Sequence, residues 1–218
     1  MQEMIVNSLY FLETLLFITV IVLQLMNESR TSVMIYAAQS FIVSLMLIIF
    51  SFQENSSGLF ISALAMLAVK VVIMPIFFFK LIDRQKLKFA TTSYLSVPMT
   101  LIVIMLIVVL ANSSVFRSLT SMPTEYSSAI PIALSGILAS LFLTINKRGA
   151  LSQIIGILTL ENCIVSFASI IGLKQTLVLE LGIIFDIFVW SVIATVFISM
   201  MYKHFGSLNI TQITHLKD

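Results

Sequence analysis

Seven stretches of about 20 residues run one after another through this chain, each nearly free of charge and bounded by polar or basic punctuation. That is the length an α-helix needs to cross a hydrocarbon layer about 30 Å thick, at about 1.5 Å per residue. The stretches fall near 5–26, 31–52, 59–80, 94–111, 127–145, 149–172 and 176–202. Backbone polar groups cannot go unpaired in hydrocarbon, and these runs are too long and too evenly apolar for barrel strands. The expected class is therefore all-α: a polytopic membrane helical bundle of about seven transmembrane helices. Composition agrees, with 59% hydrophobic residues, 10% charged residues and a mean hydropathy of +1.10, where soluble domains carry roughly 25% charged residues. Spans and short connections consume nearly all of the 218 residues. No room is left for a separate soluble catalytic domain, so any redox centre or nucleotide site must belong to a partner.

The connections set the orientation. Arg30, Lys80, Arg84, Lys86, Lys88, Lys147, Arg148, Lys203 and Lys217 fall on one side, leaving Arg117 and Lys174 opposite. Because loop Lys and Arg residues are retained on the cytoplasmic side, the amino terminus is expected outside and the carboxyl terminus in the cytoplasm. The first helix contains Glu13 and has no basic leader or small-residue cleavage site, so it reads as a retained span. Cys163 is the single cysteine, which excludes disulfides within the chain and disfavours thiolate metal or cluster ligation. His204 and His215 stand beyond the last span without a metal-ligand grouping around them. The chain offers no nucleophile with its base, no phosphate-binding glycine loop and no nucleic-acid surface.

What remains is charge in the wrong solvent. Lys70 sits within the third stretch, Glu161 within the sixth and Asp186 within the seventh. An ionisable group at membrane depth is unfavourable by about 2.5 to 3.5 kcal/mol on insertion scales, so a chain that keeps several is expected to use them to move charge. Glu161 lies roughly 18 Å from the start of its helix and Asp186 roughly 15 Å from the start of the next, both near the midplane. The short turn joining these helices makes them antiparallel neighbours, and two carboxyls in a shared cleft suit proton exchange near neutral pH. Lys70 is too deep to reach either interface and needs an acidic partner or a wet cavity: Glu161, Asp186 or a carboxylate of another subunit. Glu13 lies only about 12 Å from the start of its span and is less telling. With Gln39, Asn162 and Ser166 it is a candidate lining residue for a polar path, the plainer reading of these residues being helix-to-helix hydrogen bonds. Pro75, within the third stretch, predicts a lost backbone bond and crowding at the Val71 carbonyl, beside Lys70.

Part of the chain also resembles another part. Gln39-Ser40-Phe41-Ile42-Val43-Ser44 can be laid over Glu161-Asn162-Cys163-Ile164-Val165-Ser166, each preceded by a basic hairpin and followed by a helix with one buried charge. Two three-helix units of the same orientation would make parallel repeats. The expected organisation is 1–93, a three-helix unit with a basic cytoplasmic loop; 94–126, the fourth helix and an outer loop; and 127–218, a second three-helix unit with a cytoplasmic tail.

Over its whole length the chain resembles component E of the fourth bacterial hydrogenase, a membrane subunit of the formate hydrogenlyase group. The likeness is carried by Met4-Ile5-Val6-Asn7, the helix with Tyr36-Ala37-Ala38-Gln39-Ser40, Lys70-Val71 followed by Pro75, the pair Glu161-Asn162, and the tail Gly206-Ser207-Leu208-Asn209-Ile210 through Leu216-Lys217. The last three helices are similar to the K subunit of respiratory complex I, which carries a membrane carboxylate on each of its last two helices. Asp186 falls where that subunit has its second glutamate. Glu161, with Gly156 as anchor, lies three residues past its first, about one turn on. The resemblance implies a prokaryotic cytoplasmic membrane location and a proton path through Glu161, Asp186 and Lys70, coupled to electron transfer elsewhere. It implies antiporter-like and quinone-subunit-like membrane partners and peripheral hydrogenase and iron-sulfur subunits. The nickel-iron centre and iron-sulfur clusters would lie in those partners, with no cofactor and no metal in this chain. Two other readings use the same charges: a subunit of a cation/proton antiporter without redox partners, and a structural scaffold subunit.

Overall fold

The computed structural model describes residues 2–84, 92–120 and 126–172, together with residues 191, 195, 198 and 199. Within them the chain forms α1 (Gln2–Leu25), α2 (Ser29–Gln53), α3 (Ser57–Met66), a π-helical segment (Leu67–Ile73), α4 (Met74–Arg84), α5 (Val97–Ala111), the short α6 (Arg117–Thr120), α7 (Ile130–Asn146) and α8 (Ala150–Ile170). Among the described residues there is no strand, and Ser93 and Lys147 form an isolated bridge. Five stretches are long and apolar enough to cross a membrane: Glu3–Leu25, Ser29–Gln53, Ser57–Lys80, Ser127–Asn146 and Leu151–Ile170. The seventh stretch expected from sequence, 176–202, lies outside the described residues apart from the four positions named. The fourth is shorter than its apolar window. Pro98 sits in the first turn of α5, and the residues before it are pinned to the end of α7 by the Tyr94 N–H on the Asn146 carbonyl at 2.9 Å. That leaves 15 helical residues, about 22 Å of rise.

Local chemistry sets the ends. Ser56 caps α3 by accepting from the Leu59 N–H, Pro131 occupies the first turn of α7, and Gly172 adopts φ +72 after α8, a conformation that favours glycine. At Pro75 the expected lost bond is accommodated by widening. Proline has no N–H to offer the Val71 carbonyl, and over Leu67–Ile73 the helix opens to π geometry, with the Met74 N–H on the Val69 carbonyl. Lys70 lies inside that wider turn.

The α1–α2 and α7–α8 hairpins lie side by side, α1 against α7 and α2 against α8. They are in register: Gln24 meets Asn146 and Ser40 meets Asn162, each pair 122 positions apart. The stretches that matched in sequence are therefore neighbours at equal depth. α3, the π segment and α4 pack on α2, and α5 packs on α7. One apolar cluster joins Leu9, Leu16, Val43, Met46, Ala63 and Ala133. A second joins Tyr36, Met74, Phe78, Leu143, Ile155 and Leu158.

The turn between α7 and α8 ties three helix ends together. Asn146 Nδ2 donates to Gln24 Oε1 at 3.4 Å and to Thr100 Oγ1 at 3.3 Å, while Asn146 Oδ1 accepts the Leu95 N–H at 3.1 Å. Next to it the buried Lys147 Nζ donates to the Met26 carbonyl at 2.6 Å, closing the end of α1. Burial pushes the Lys147 amine down from 10.5 to about 8. Between those values the unfolded chain binds the more protons, so stability rises with pH across that window, and below about 8 the penalty of the buried charge is fully present. In detergent the apparent melting temperature should climb from about pH 8 to 10.5 and lose that slope in Lys147→Met. A flat wild-type profile would contradict the burial of this charge.

Candidate functional site

The charges within the described apolar helices are not scattered. Lys70, 1% exposed, extends from the π segment across α2 to α8, where its Nζ donates to Glu161 Oε1 at 2.6 Å and to Asn162 Oδ1 at 3.1 Å. Asn162 passes the polarity on: its Nδ2 donates to Ser40 Oγ at 3.0 Å and, at 3.5 Å, to Gln39 Oε1, both on α2. The amide is thus oriented by its neighbours, its oxygen on an ammonium and its nitrogen on a hydroxyl. Of the two partners, Lys70 is sealed while the Glu161 side chain is 19% exposed. Glu161 is the edge of the group and Lys70 its centre.

Not every polar atom here is paired within the described residues. Gln39 Nε2 and Thr159 Oγ1, both on fully buried side chains, have no hydrogen-bond partner. The Tyr36 hydroxyl comes near Ser40 and Glu161 without reaching hydrogen-bond geometry. Thr159 lies three residues before Asn162 and Tyr36 four before Ser40, so both stand about one turn along their helices from the Ser40–Asn162 contact. Buried polar groups of this kind are ordinarily satisfied by water.

A second polar group involves Glu13, which the structure buries to 1% exposure. Its Oε2 accepts from the Ser166 hydroxyl of α8, whose oxygen also lies 3.5 Å from Met46 Sδ of α2. Ser166 is one turn beyond Asn162, so the two groups follow each other along α8. Of the residues singled out from sequence, Lys70, Glu161, Asn162 and Gln39 come together in one group, Glu13 and Ser166 in the other, and Asp186 lies outside the described residues. Ser40, Tyr36 and Thr159 were not singled out. For Ser40 the signal was present in its alignment with Asn162 in the repeat.

The helices are held close enough for this. An added Cβ at Gly156 would meet Thr144 Oγ1 at 2.7 Å, Thr144 Cα at 3.0 Å and Thr144 N at 3.1 Å. α7 and α8 therefore touch backbone to backbone, five residues before Glu161. Comparison with known proteins adds nothing to the geometry: no protein-family model, no curated protein and no solved structure matches the chain.

Proposed function

We propose that this chain is a multi-pass membrane subunit of a [NiFe] hydrogenase or related complex I-like assembly, contributing buried charges to a proton path coupled to electron transfer in partner subunits. On this reading it crosses the cytoplasmic membrane seven times, amino terminus outside, and neither binds a cofactor nor catalyses a reaction itself. The observation that carries the proposal is the Lys70–Glu161 ion pair within helices apolar enough to span a bilayer. A lysine and a glutamate in contact at membrane depth can trade a proton and become neutral together, or separate it and become charged. Asn162 and Ser40 hold the pair so that this exchange needs little rearrangement. Asp186 would take the next position on the route.

The same contacts also bind the π segment to α8, which favours a scaffold as the competing reading. Purification with the native partners in mild detergent, followed by proton flux in vesicles, separates the two. In Glu161→Gln the flux per assembled complex should fall by about 10²-fold, the lower end of what removing a proton-transferring group costs. Asp186→Asn should act in the same direction. Unchanged flux per complex with reduced assembly would leave the pair a purely structural one. Nickel and hydrogenase activity in the purified complex test the redox assignment; their absence beside intact flux would favour a cation/proton antiporter subunit.

A further inference from the structure

The geometry points to Glu13 as a second proton-exchanging carboxyl, with Ser166 and Met46 as the groups that position it in both of its protonation states. α1 turns Leu9, Glu13, Leu16, Val20 and Leu23 into the core, all buried. At spacings of four, three, four and three these residues form one helical face. A glutamate therefore stands where every neighbour on the stripe is aliphatic. Its stripe neighbours Leu9 and Leu16 join a cluster with Val43, Met46 and Ala133. Of titratable groups, the Cys163 thiol of α8 is within electrostatic reach. The ammonium of Lys70 is engaged one turn away with Glu161 and Asn162.

The partner is what distinguishes Glu13 from Glu161. An ammonium such as Lys70 has only donors and fits the ionised carboxylate, whereas a hydroxyl is donor and acceptor and fits both forms. In the arrangement seen, the Ser166 hydroxyl donates to Glu13 Oε2. When Glu13 takes up a proton, its O–H bond points to Ser166 Oγ, and the Ser166 hydroxyl turns its own hydrogen to Met46 Sδ, 3.5 Å away. One proton enters, one hydrogen bond reverses, and the weak thioether acceptor replaces the carboxylate. Neither state leaves the serine without a partner, and nothing larger than a hydroxyl moves.

As a station on a proton route Glu13 rests on the function proposed above; as a group that gains and loses a proton it does not. The test is therefore spectroscopic. Infrared difference spectra of the full chain in lipid nanodiscs, taken between about pH 5 and 9, should show a deuterium-sensitive carboxyl C=O band appearing on acidification. That band should be absent in Glu13→Gln, kept in Glu161→Gln and displaced in Ser166→Ala. Met46→Leu conserves shape but removes the second acceptor, so stronger acidification should be needed to produce the band. A Glu13→Gln spectrum that superimposes on wild type, at equal helicity, overturns the proposal. Should Glu13→Gln fail to fold, Ser166→Ala and Met46→Leu decide: a band that Ser166→Ala does not displace and whose appearance with pH Met46→Leu does not shift would equally overturn it. Loss of the band in Glu13→Gln beside proton flux that Glu161→Gln leaves untouched would keep this site and remove the function proposed for the other.

Discussion

Lys70→Met should lower the stability of the bundle by about 3 kcal/mol, and adding Glu161→Gln should restore most of that loss. Removing one member of a buried ion pair costs about 3 to 5 kcal/mol because the other charge is left uncompensated. The lower figure applies because Glu161, left alone, can take up a proton and lose its charge. The double substitution removes both charges and leaves an amide beside Asn162, which such a setting tolerates far better. Reversible unfolding in mixed micelles gives the comparison. A silent Lys70→Met, or a double variant no better than the single, would mean that the two side chains do not face each other as described. The cycle also serves the functional question, because a well-folded double variant supplies neutral helices on which flux can be measured with assembly intact.

Gly156→Leu should cost at least as much, by a different route. The first side-chain atom would fall 3.0 and 3.1 Å from backbone atoms of Thr144, which cannot step aside as a flexible side chain could. α7 and α8 would have to separate. Overpacking of a tight interface costs about 1 to 3 kcal/mol and occasionally more, and a contact against backbone belongs at the upper end. Thr144→Ala should recover only part of the loss, since it removes the hydroxyl at 2.7 Å and leaves the backbone contacts. Full recovery in the double variant would show that the hydroxyl alone set the spacing. Because Glu161 and Asn162 follow on the same helix, Gly156→Leu should also move the carboxylate away from Lys70 and weaken the pair.

Much of the site was legible as a set of residues and almost none of it as a set of contacts. Lys70, Glu161 and Asn162 stood out because polar groups are rare in apolar helices and each has a large solvation cost there. Which of them meet depends on how each helix is rotated about its axis, and several acidic groups were equally open as the partner of Lys70. Glu13 shows the limit of counting along a helix. Its distance from the start of α1 made it the less telling of the acidic groups, whereas its angular position, in line with Leu9, Leu16 and Val20, carries it into the core. Pro75 was legible as a break in the hydrogen-bond pattern, but the π turn that absorbs it was not, because widening and kinking satisfy the same missing donor.

The sequence by itself determined that the described residues form helices long and apolar enough to cross a membrane, since a run of about 20 apolar residues satisfies its own backbone hydrogen bonds most readily as a helix. It also determined which apolar stretch carries each ionisable group. The tertiary structure alone decided that Lys70 chooses Glu161, that Asn162 joins them to Ser40, and that Glu13 closes on Ser166. Those pairings follow from interhelical distance and rotation, which are set jointly by Gly156, the register of the two hairpins and the apolar clusters between them, and no single segment encodes them.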